Sequence, residues 1–561
     1  MTTPGDTSAT FCATLVDEWV RHGIQHAVVA PGSRSTPLAV ALSARSEISV
    51  HIFHDERSAS FAALGIGLQS GSPAVLLCTS GTAATHFHGA VAEADLSNVP
   101  MIVCTADRPP ELLDVGAPQT INQSHLYGSM VRWFHDPGVA SHDAQHTWRS
   151  LAARSVRASL SERAGPVHLN LSFREPLLGE VGTLPEARES AWSSSVVGSL
   201  LPADVVQNCA QQISHRKGII VAGRGATESV FALASKLGWP ILADARSGAR
   251  EDRIGVVLSF DAILRSSNFA DSHVPEVVIR VGEPPASKVT NQWIAASGAY
   301  IVQIQQHNKV IDPDHLVSQH LIGDVDSTIR HLAEHASSLP TDWLSDWVRA
   351  EANAQLAIDA WTSKHESEPT NARVLTQSLP AHSNFVISAS MPIRDIEWFG
   401  SYTPAVAVYS NRGANGIDGV TSTAVGVALA SGAPTFVYIG DVAALHDANG
   451  LLGLVSRDAD VKVVVSNNDG GSIFSFLPQA SQVDAKTFEL LYGTPHGASF
   501  ESLAAAYGVP YSRVNSSDDL CKAMLMSGSR VIEIITDRTK NVSAHNALND
   551  AIVVAINSSM A

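Results

Sequence analysis

Cysteine is scarce in this chain: Cys12, Cys78, Cys104, Cys209 and Cys521 are the only five in 561 residues. They show neither paired zinc spacing nor the density of a disulfide scaffold, which leaves a reducing cytoplasm as the expected location. Long apolar runs are missing too. No stretch reaches the roughly 18 residues a membrane span requires, and Met1 to Thr10 lack a basic segment followed by an apolar core, so neither a spanning helix nor an ordinary export signal is expected. Basic residues are few, 37 against 54 acidic, for a net charge of −17. That balance argues against nucleic acid as the main partner. An anionic substrate would have to be drawn in by a local cluster of arginine and lysine, not by the overall field.

What is present is an alternation of short apolar runs with helical patterns, the rhythm of parallel α/β sheets, over a length that suggests about three domains. In the first third the predicted strands are Ala27 to Ala30, Ala74 to Cys78, Met101 to Thr105 and Val167 to Leu171. They exit into Pro31-Gly32-Ser33-Arg34, Thr79-Ser80-Gly81-Thr82, Asp107-Arg108-Pro109-Pro110 and Ser172-Phe173-Arg174-Glu175. Ligands of open α/β sheets bind beyond the carboxyl ends of the strands, so a functional edge is expected there. A Ser-rich stretch, Ser190 to Ser199, marks a boundary. A second unit follows, with strands near Gly218 to Ala222, Ile241 to Ala243, Val277 to Val281 and Tyr300 to Ile304. A polar helical region, Leu339 to Glu368, leads to the last third, with strands near Phe385 to Ser388, Ala405 to Val408, Phe436 to Ile439, Val461 to Val465 and Val531 to Ile535. The expected fold is three doubly wound parallel-sheet α/β domains, at residues 1–190, 200–338 and 345–561. The first and last share a rhythm, as duplicated domains would.

Two polar turns in the last third stand at strand exits: Gly440-Asp441 and, about 26 residues on, Asn467-Asn468. A hard dication that must grip a diphosphate needs a few oxygen ligands in near-octahedral array, with positions left for phosphate and water. Asp441 and the amide oxygen of Asn468 could supply two, and a backbone carbonyl at Gly470 in the turn Asp469-Gly470-Gly471 a third. The segment Ala443 to Leu454 is predicted as a short helix whose free N–H groups favour anions. Far upstream, Glu56 opens a predicted helix in His54-Asp55-Glu56-Arg57. The fragments together look like two halves of a thiamine diphosphate site. Such a cofactor becomes reactive when its C2 proton leaves to the neighbouring 4′-imine, and a sequestered carboxylate at N1′ drives that tautomer. With Glu56 and Asp441 in different domains, the pocket is expected from apposed domains or subunits.

The resemblance to a known family rests on Pro31-Gly32-Ser33-Arg34-Ser35-Thr36-Pro37, His54-Asp55-Glu56-Arg57, Thr79-Ser80-Gly81-Thr82-Ala83, Arg108-Pro109-Pro110-Glu111-Leu112 and Phe173-Arg174-Glu175-Pro176-Leu177. Later in the chain it rests on Ser390-Met391-Pro392-Ile393-Arg394-Asp395, Arg412-Gly413-Ala414, Gly416-Ile417-Asp418-Gly419 and Asn468-Asp469-Gly470-Gly471-Ser472-Ile473-Phe474. The chain resembles, nearly end to end and least in the middle, the 2-succinyl-5-enolpyruvyl-6-hydroxy-3-cyclohexene-1-carboxylate synthase family of menaquinone biosynthesis. The resemblance implies thiamine diphosphate with Mg²⁺ or Mn²⁺, decarboxylation of 2-oxoglutarate, conjugate addition of the four-carbon carbanion to isochorismate, and a dimer or tetramer with its site between subunits.

Carried over by motif position, the anion readers are Ser33, Arg34, Arg108, Gln119, Ser390, Arg394 and Arg412, with Lys288 from the middle domain. The planar arginine fork suits a carboxylate. Ile417 resembles the residue that props the cofactor in its bent shape. Ile473 and Phe474 resemble an apolar wall, and Thr82 shapes the pyrimidine end. Two positions depart from the family, where asparagines are expected: His86, and Pro118, which stiffens its loop and removes a donor just before Gln119. Competing readings are a sister thiamine enzyme, such as an acetolactate synthase or a 2-oxo acid decarboxylase, and a nucleotide-dependent oxidoreductase suggested by Gly223-Arg224-Gly225. In the latter, Glu228 occupies the place of the fingerprint's third glycine.

Overall fold

Each predicted strand becomes a member of one of three six-stranded sheets in a computed structural model that describes residues 3–193, 198, 200–403, 405–457 and 459–560. Part of the Ser-rich boundary, residues 194–197 and 199, lies outside the described residues. The first sheet contains β1 (His26–Val29), β2 (Ser49–Ile52), β3 (Ala74–Cys78), β4 (Met101–Asp107), β5 (Phe134–His135) and β6 (Pro166–Ser172), in the order β2-β1-β3-β4-β6-β5. The second contains β7 (Gly218–Ala222), β8 (Ile241–Ala243), β9 (Val256–Val257), β10 (Val277–Val281), β11 (Tyr300–Gln305) and β12 (Val317–Ile322), in the order β12-β11-β10-β7-β8-β9. The third contains β13 (Asn384–Ile387), β14 (Ala407–Tyr409), β15 (Thr435–Gly440), β16 (Val461–Asn467), β17 (Tyr511–Val514) and β18 (Arg530–Ile535), in the order β14-β13-β15-β16-β18-β17. The first and third orders are the same when counted from their own first strands, so the shared rhythm of the sequence is a shared topology. Neighbours pair in parallel, as β4 with β6 from Met101↔Pro166 to Asp107↔Ser172 and β16 with β18 from Lys462↔Arg530 to Asn467↔Ile535.

The strands that the apolar runs did not reveal are β2, β5, β9, β12 and β17, and every one is a sheet edge. β5 and β9 are two residues long. The other three carry polar residues, as in Ser49-Val50-His51-Ile52, because only an interior strand of a covered parallel sheet must be apolar on both faces. The predicted helix Ala443 to Leu454 is corrected. The helix runs Asp441–His446 and a 3₁₀ turn follows at Ala448–Leu451. Between them Asp447 turns its carboxylate onto Ser422, whose backbone N–H donates to Oδ2 at 2.7 Å. The region Leu339 to Glu368 resolves into a helix Trp343–Thr362 and the start of the next helix, Glu368–Ser378.

Two compact units can be drawn: Met1–Val197 with Asn411–Thr435 and Leu445–Val461, and Gly198–Ser410 with Phe436–Ala444 and Lys462–Ala561. In the first, helix Glu56–Ser70 crosses helix Val420–Ser431 at two glycines. A Cβ on Gly65 would lie 2.0 Å from Thr423 O, and one on Gly426 2.0 Å from Ala62 O. Backbone meets backbone at this crossing, which only glycine permits.

In the second unit, the middle sheet has the strand order of a dinucleotide-binding fold, with its switch point between β7 and β10. The crevice there is filled by protein. A Cβ on Gly223 would sit 2.0 Å from Glu283 O and one on Gly282 1.9 Å from Arg224 O, so the two loops lie against each other. Arg246, buried in the same place, pairs with Glu283 at 2.5 Å and with Asp244 at 3.2 Å. The glycines thus serve loop packing, which disfavours the oxidoreductase reading.

Candidate active site

The residues expected to hold a diphosphate and its cation stand in the second unit, at the exits of β15 and β16. Asp441 opens its helix directly after β15 and is buried. Its Oδ2 accepts from the backbone N–H of Asn468 (3.1 Å) and of Gly470 (2.9 Å), and its Oδ1 from that of Val442 (2.7 Å). One carboxylate therefore sews both turns together. Gly470 has φ +138°, and a Cβ there would lie 1.9 Å from Gly493 O, so no other residue fits. Gly470 O accepts from Ser472 N at 3.0 Å and keeps a second lone pair. Asn468 Oδ1 is buried and has no hydrogen-bond partner among the described residues. Oxygens of carboxylate, amide and carbonyl type are what a hard divalent cation takes, so these three residues fit such an ion. Among the described residues no three His, Cys, Asp or Glu side chains gather as a metal site, and the amide and backbone oxygens are therefore essential to any cation there. His496, which sequence reasoning missed, brings Nε2 to 3.3 Å from Asp441 Oδ2.

In the same unit, Ser390 caps helix Met391–Phe399 at φ 72°, ψ −134°, a conformation costly for any residue but glycine. Its carbonyl accepts from Arg394 Nη1 at 2.6 Å. Burial pulls the Arg394 guanidinium below the usual arginine range, partly offset by Glu397 and Asp395. Ile473 and Phe474 lie half-buried in a 3₁₀ turn, Ser472–Phe476, with the Phe474 ring 5.4 Å from that of Tyr492. Lys288 is exposed at the start of helix Lys288–Ser297. The loop before it touches the Arg394 helix, where Ala286 N donates to Glu397 Oε2 at 2.9 Å.

The residues expected at the pyrimidine end of the cofactor stand in the first unit. Glu56 begins its helix as expected, with Asp55 as N-cap accepting from Arg57 N (2.8 Å) and Ser58 N (3.2 Å). The Glu56 side chain is half-buried. Burial first, and then the Glu56 carboxylate, push the Cys78 thiol well above its ordinary range. Three further contacts fix this first helical turn: Asn449 Nδ2 donates to Asp55 Oδ2 at 2.7 Å, Arg57 Nη2 to His446 O at 2.7 Å, and Ser58 Oγ to Asp447 Oδ1 at 3.3 Å.

At the carboxyl edge of the first sheet, Arg34 donates to Phe173 O (2.9 Å) and to Glu175 Oε1 (3.1 Å). Arg108 donates to Ser80 Oγ, and Gln119 Nε2 donates to Ser80 O at 3.1 Å. Burial and then the Arg34 cation pull Arg108 below the usual arginine range. Four strand exits thus converge as expected, leaving two neighbouring guanidinium groups that a bound anion would relieve. Ser33, Thr82, Gln119, His86 and Pro118 are exposed.

Arg412 and Ile417 are half-buried in one loop, and Glu93, unnoticed in the sequence, holds it. Its Oε1 accepts from Gly413 N and its Oε2 from Ala414 N, both at 2.7 Å.

Three family descriptions match in succession: thiamine pyrophosphate enzyme, N-terminal TPP binding domain, over residues 9–126; middle domain of thiamine pyrophosphate, over 191–387; and thiamine pyrophosphate enzyme, C-terminal TPP binding domain, over 401–534. A 2-succinyl-5-enolpyruvyl-6-hydroxy-3-cyclohexene-1-carboxylate synthase from Thermobifida fusca is 42% identical, covering 98% of this chain and 99% of its own. The chain belongs to the 2-succinyl-5-enolpyruvyl-6-hydroxy-3-cyclohexene-1-carboxylate synthase family. Synthases of the same name from Lysinibacillus sphaericus (38% identical, 95% of this chain and 96% of that one) and Saccharopolyspora erythraea (36%, 96% and 97%) agree. The crystal structure of benzoylformate decarboxylase from Polynucleobacter necessarius superposes with a TM-score of 0.71 at 17% identity, over 94% of this chain and 99% of that one, a likeness of fold. This member of the synthase family is accordingly an α/β enzyme that uses thiamine diphosphate. No helix among its described residues is long and apolar enough to cross a membrane.

In this synthase-family chain, Asp447 carries a testable titration. Burial pushes its carboxyl from 3.8 up to about 6, against the opposing pull of hydrogen bonds from Ser422. A carboxyl whose pKa is raised on folding holds its proton more tightly in the folded state. Its contribution is fully present below the unfolded value and lost as pH rises through the folded one. The melting temperature of Asp447→Asn minus that of the natural protein should therefore increase from pH 4 to pH 6 and level off above. A flat difference across that window would contradict the assignment.

Proposed function

We propose that this chain decarboxylates 2-oxoglutarate and adds the resulting four-carbon fragment to isochorismate, releasing CO₂ and 2-succinyl-5-enolpyruvyl-6-hydroxy-3-cyclohexene-1-carboxylate. Similarity over 98% of the chain to a synthase of that name carries the reading. Thiamine diphosphate, when bound, would supply the electron sink that decarboxylation of a 2-oxo acid requires. Asp441, Asn468 and the Gly470 carbonyl would hold the cation, Mg²⁺ or Mn²⁺, that anchors the diphosphate. Glu56 would accept and return the proton at the N1′ end, Thr82 would border the pyrimidine, and Ile417 and Ile473 would shape the cofactor's apolar surroundings.

Ser33, Arg34, Arg108, Gln119, Lys288, Ser390, Arg394, Arg412 and Phe474 would receive the two substrates. Their cations account for polyanion binding by a chain of net charge −17. We further propose the domain limits 1–190, 200–338 and 345–561, a cytoplasmic location, and a self-associated enzyme in which Glu56 of one copy serves the cofactor held by another.

Protein, thiamine diphosphate and Mg²⁺ mixed with both substrates should consume isochorismate and release CO₂ in equal amounts. Pyruvate or benzoylformate in place of 2-oxoglutarate should support neither; consumption with either one would favour a sister thiamine enzyme. Arg394→Ala should lower kcat/KM on the order of ten- to a hundredfold, because a lost charge-assisted contact costs roughly 1.5–3 kcal/mol. An unchanged kcat/KM would remove Arg394 from the substrate site.

A further inference from the structure

The carboxamide of Asn468 has chemically opposite ends, and only the oxygen can face a cation. Which end faces which way is decided by what stands behind it. Glu368, at the first turn of helix Glu368–Ser378, is buried and 100 residues away in sequence. Its Oε1 accepts from Asn468 Nδ2 at 2.8 Å and from Thr536 Oγ1 at 2.9 Å, and its Oε2 accepts from Asn541 Nδ2 at 2.8 Å. Both carboxylate oxygens act as acceptors. With its N–H₂ held in this way, Asn468 turns the opposite end of the amide, Oδ1, away from Glu368, and that oxygen is buried with no hydrogen-bond partner among the described residues.

The same carboxylate reaches the substrate side. Asn541 Nδ2 also donates to Ser472 Oγ at 2.7 Å, at the head of the turn that bears Ile473 and Phe474. One helical turn on, His545 Nδ1 meets Asn541 O at 2.8 Å, and its Nε2 meets Asp395 Oδ1 at 2.8 Å, next to Arg394. No motif reading assigned Glu368 a part. We infer that Glu368 is a positioning residue that sets the orientation of the Asn468 amide and thereby the affinity of the site for its divalent cation. This rests on the reading of Asn468 as a cation ligand.

The experiment is a titration of the protein and thiamine diphosphate with Mn²⁺, following free Mn²⁺ by electron paramagnetic resonance; no turnover is needed. Glu368→Gln replaces one acceptor with a donor, and should weaken Mn²⁺ binding about ten- to a hundredfold, the usual effect of disturbing a ligand's support. Thr536→Val removes another contact to the same oxygen but leaves Asn468 held, and should bind Mn²⁺ within about threefold of the natural protein. Rescue distinguishes orientation from general packing. Asn468→Asp presents oxygen at either end, so adding it to Glu368→Gln should restore most of the affinity.

If Glu368→Gln does not fold, Glu368→Asp, which keeps the charge but withdraws it by one methylene, should show the same weakening. A folded Glu368 variant with unchanged Mn²⁺ affinity, an equal loss in Thr536→Val, or failure of the rescue would overturn the inference. Asn468→Ala separates the two levels. If it weakens Mn²⁺ binding while the Glu368 variants do not, only the positioning role is lost. If it leaves Mn²⁺ binding unchanged, the ligand reading and the inference built on it both fail.

Discussion

Glu56→Gln should leave cofactor binding largely intact while slowing turnover about 10²- to 10⁴-fold, the range expected when a positioned acid–base group is removed. The helix it begins is secured by other residues. Asp55 caps the turn and is itself held by Asn449, while Ser58 reaches Asp447, so the substitution changes a protonation partner and not the scaffold. Calorimetric titration with thiamine diphosphate and Mg²⁺ should give a near-natural affinity, and isochorismate consumption should nearly cease. Undiminished turnover would refute the role of Glu56. Loss of binding and turnover together would instead make it a structural residue.

Asp441→Ala should act on binding and stability at once. The carboxylate accepts three backbone N–H groups, two of them from the Asn468 to Gly470 turn. Buried donors left without acceptors cost about 1–3 kcal/mol each, so the variant should melt well below the natural protein. With the one carboxylate of the proposed cation site gone, Mg²⁺-dependent uptake of thiamine diphosphate should fall by at least about a hundredfold, corresponding to about 2.7 kcal/mol. Asp441→Asn keeps an acceptor oxygen and should recover much of the stability but little of the uptake. Equal uptake by Asp441→Asn and the natural protein would show that charge at this position is unimportant.

Interior strands were legible in the sequence because a parallel strand covered on both faces must be apolar throughout. Phe436 to Ile439 and Ala74 to Cys78 carry that pattern, whereas edge strands such as Ser49–Ile52 are free of the constraint. The turns that could grip a cation were legible for a related reason: chemistry at strand exits is local, and Asp441, Asn468 and Gly470 each stand within a few residues of an apolar run.

The groups that orient those turns were not legible. Glu368 reads in sequence as an ordinary first-turn glutamate behind the capping Ser367, and its meaning comes from Asn468, 100 residues away. Glu93 reads as one acidic residue of a helix until the loop after Arg412 folds onto it, 320 residues on. A single buried carboxylate leaves no periodicity and no motif. Only the tertiary structure brings together the donors that it serves.

The pairing of Arg34 with Glu175 has a consequence for substrate entry. Glu175 is mostly in solvent, with 73% of its side chain exposed, whereas the arginine is buried. A substrate carboxylate docking on Arg34 would exchange with an internal carboxylate that already occupies the fork, one negative charge leaving as another arrives. The net gain at that arginine would then be the difference between two similar ion pairs. Discrimination between substrates would consequently fall to neighbouring positions such as Arg108, whose guanidinium donates to a neutral hydroxyl, that of Ser80.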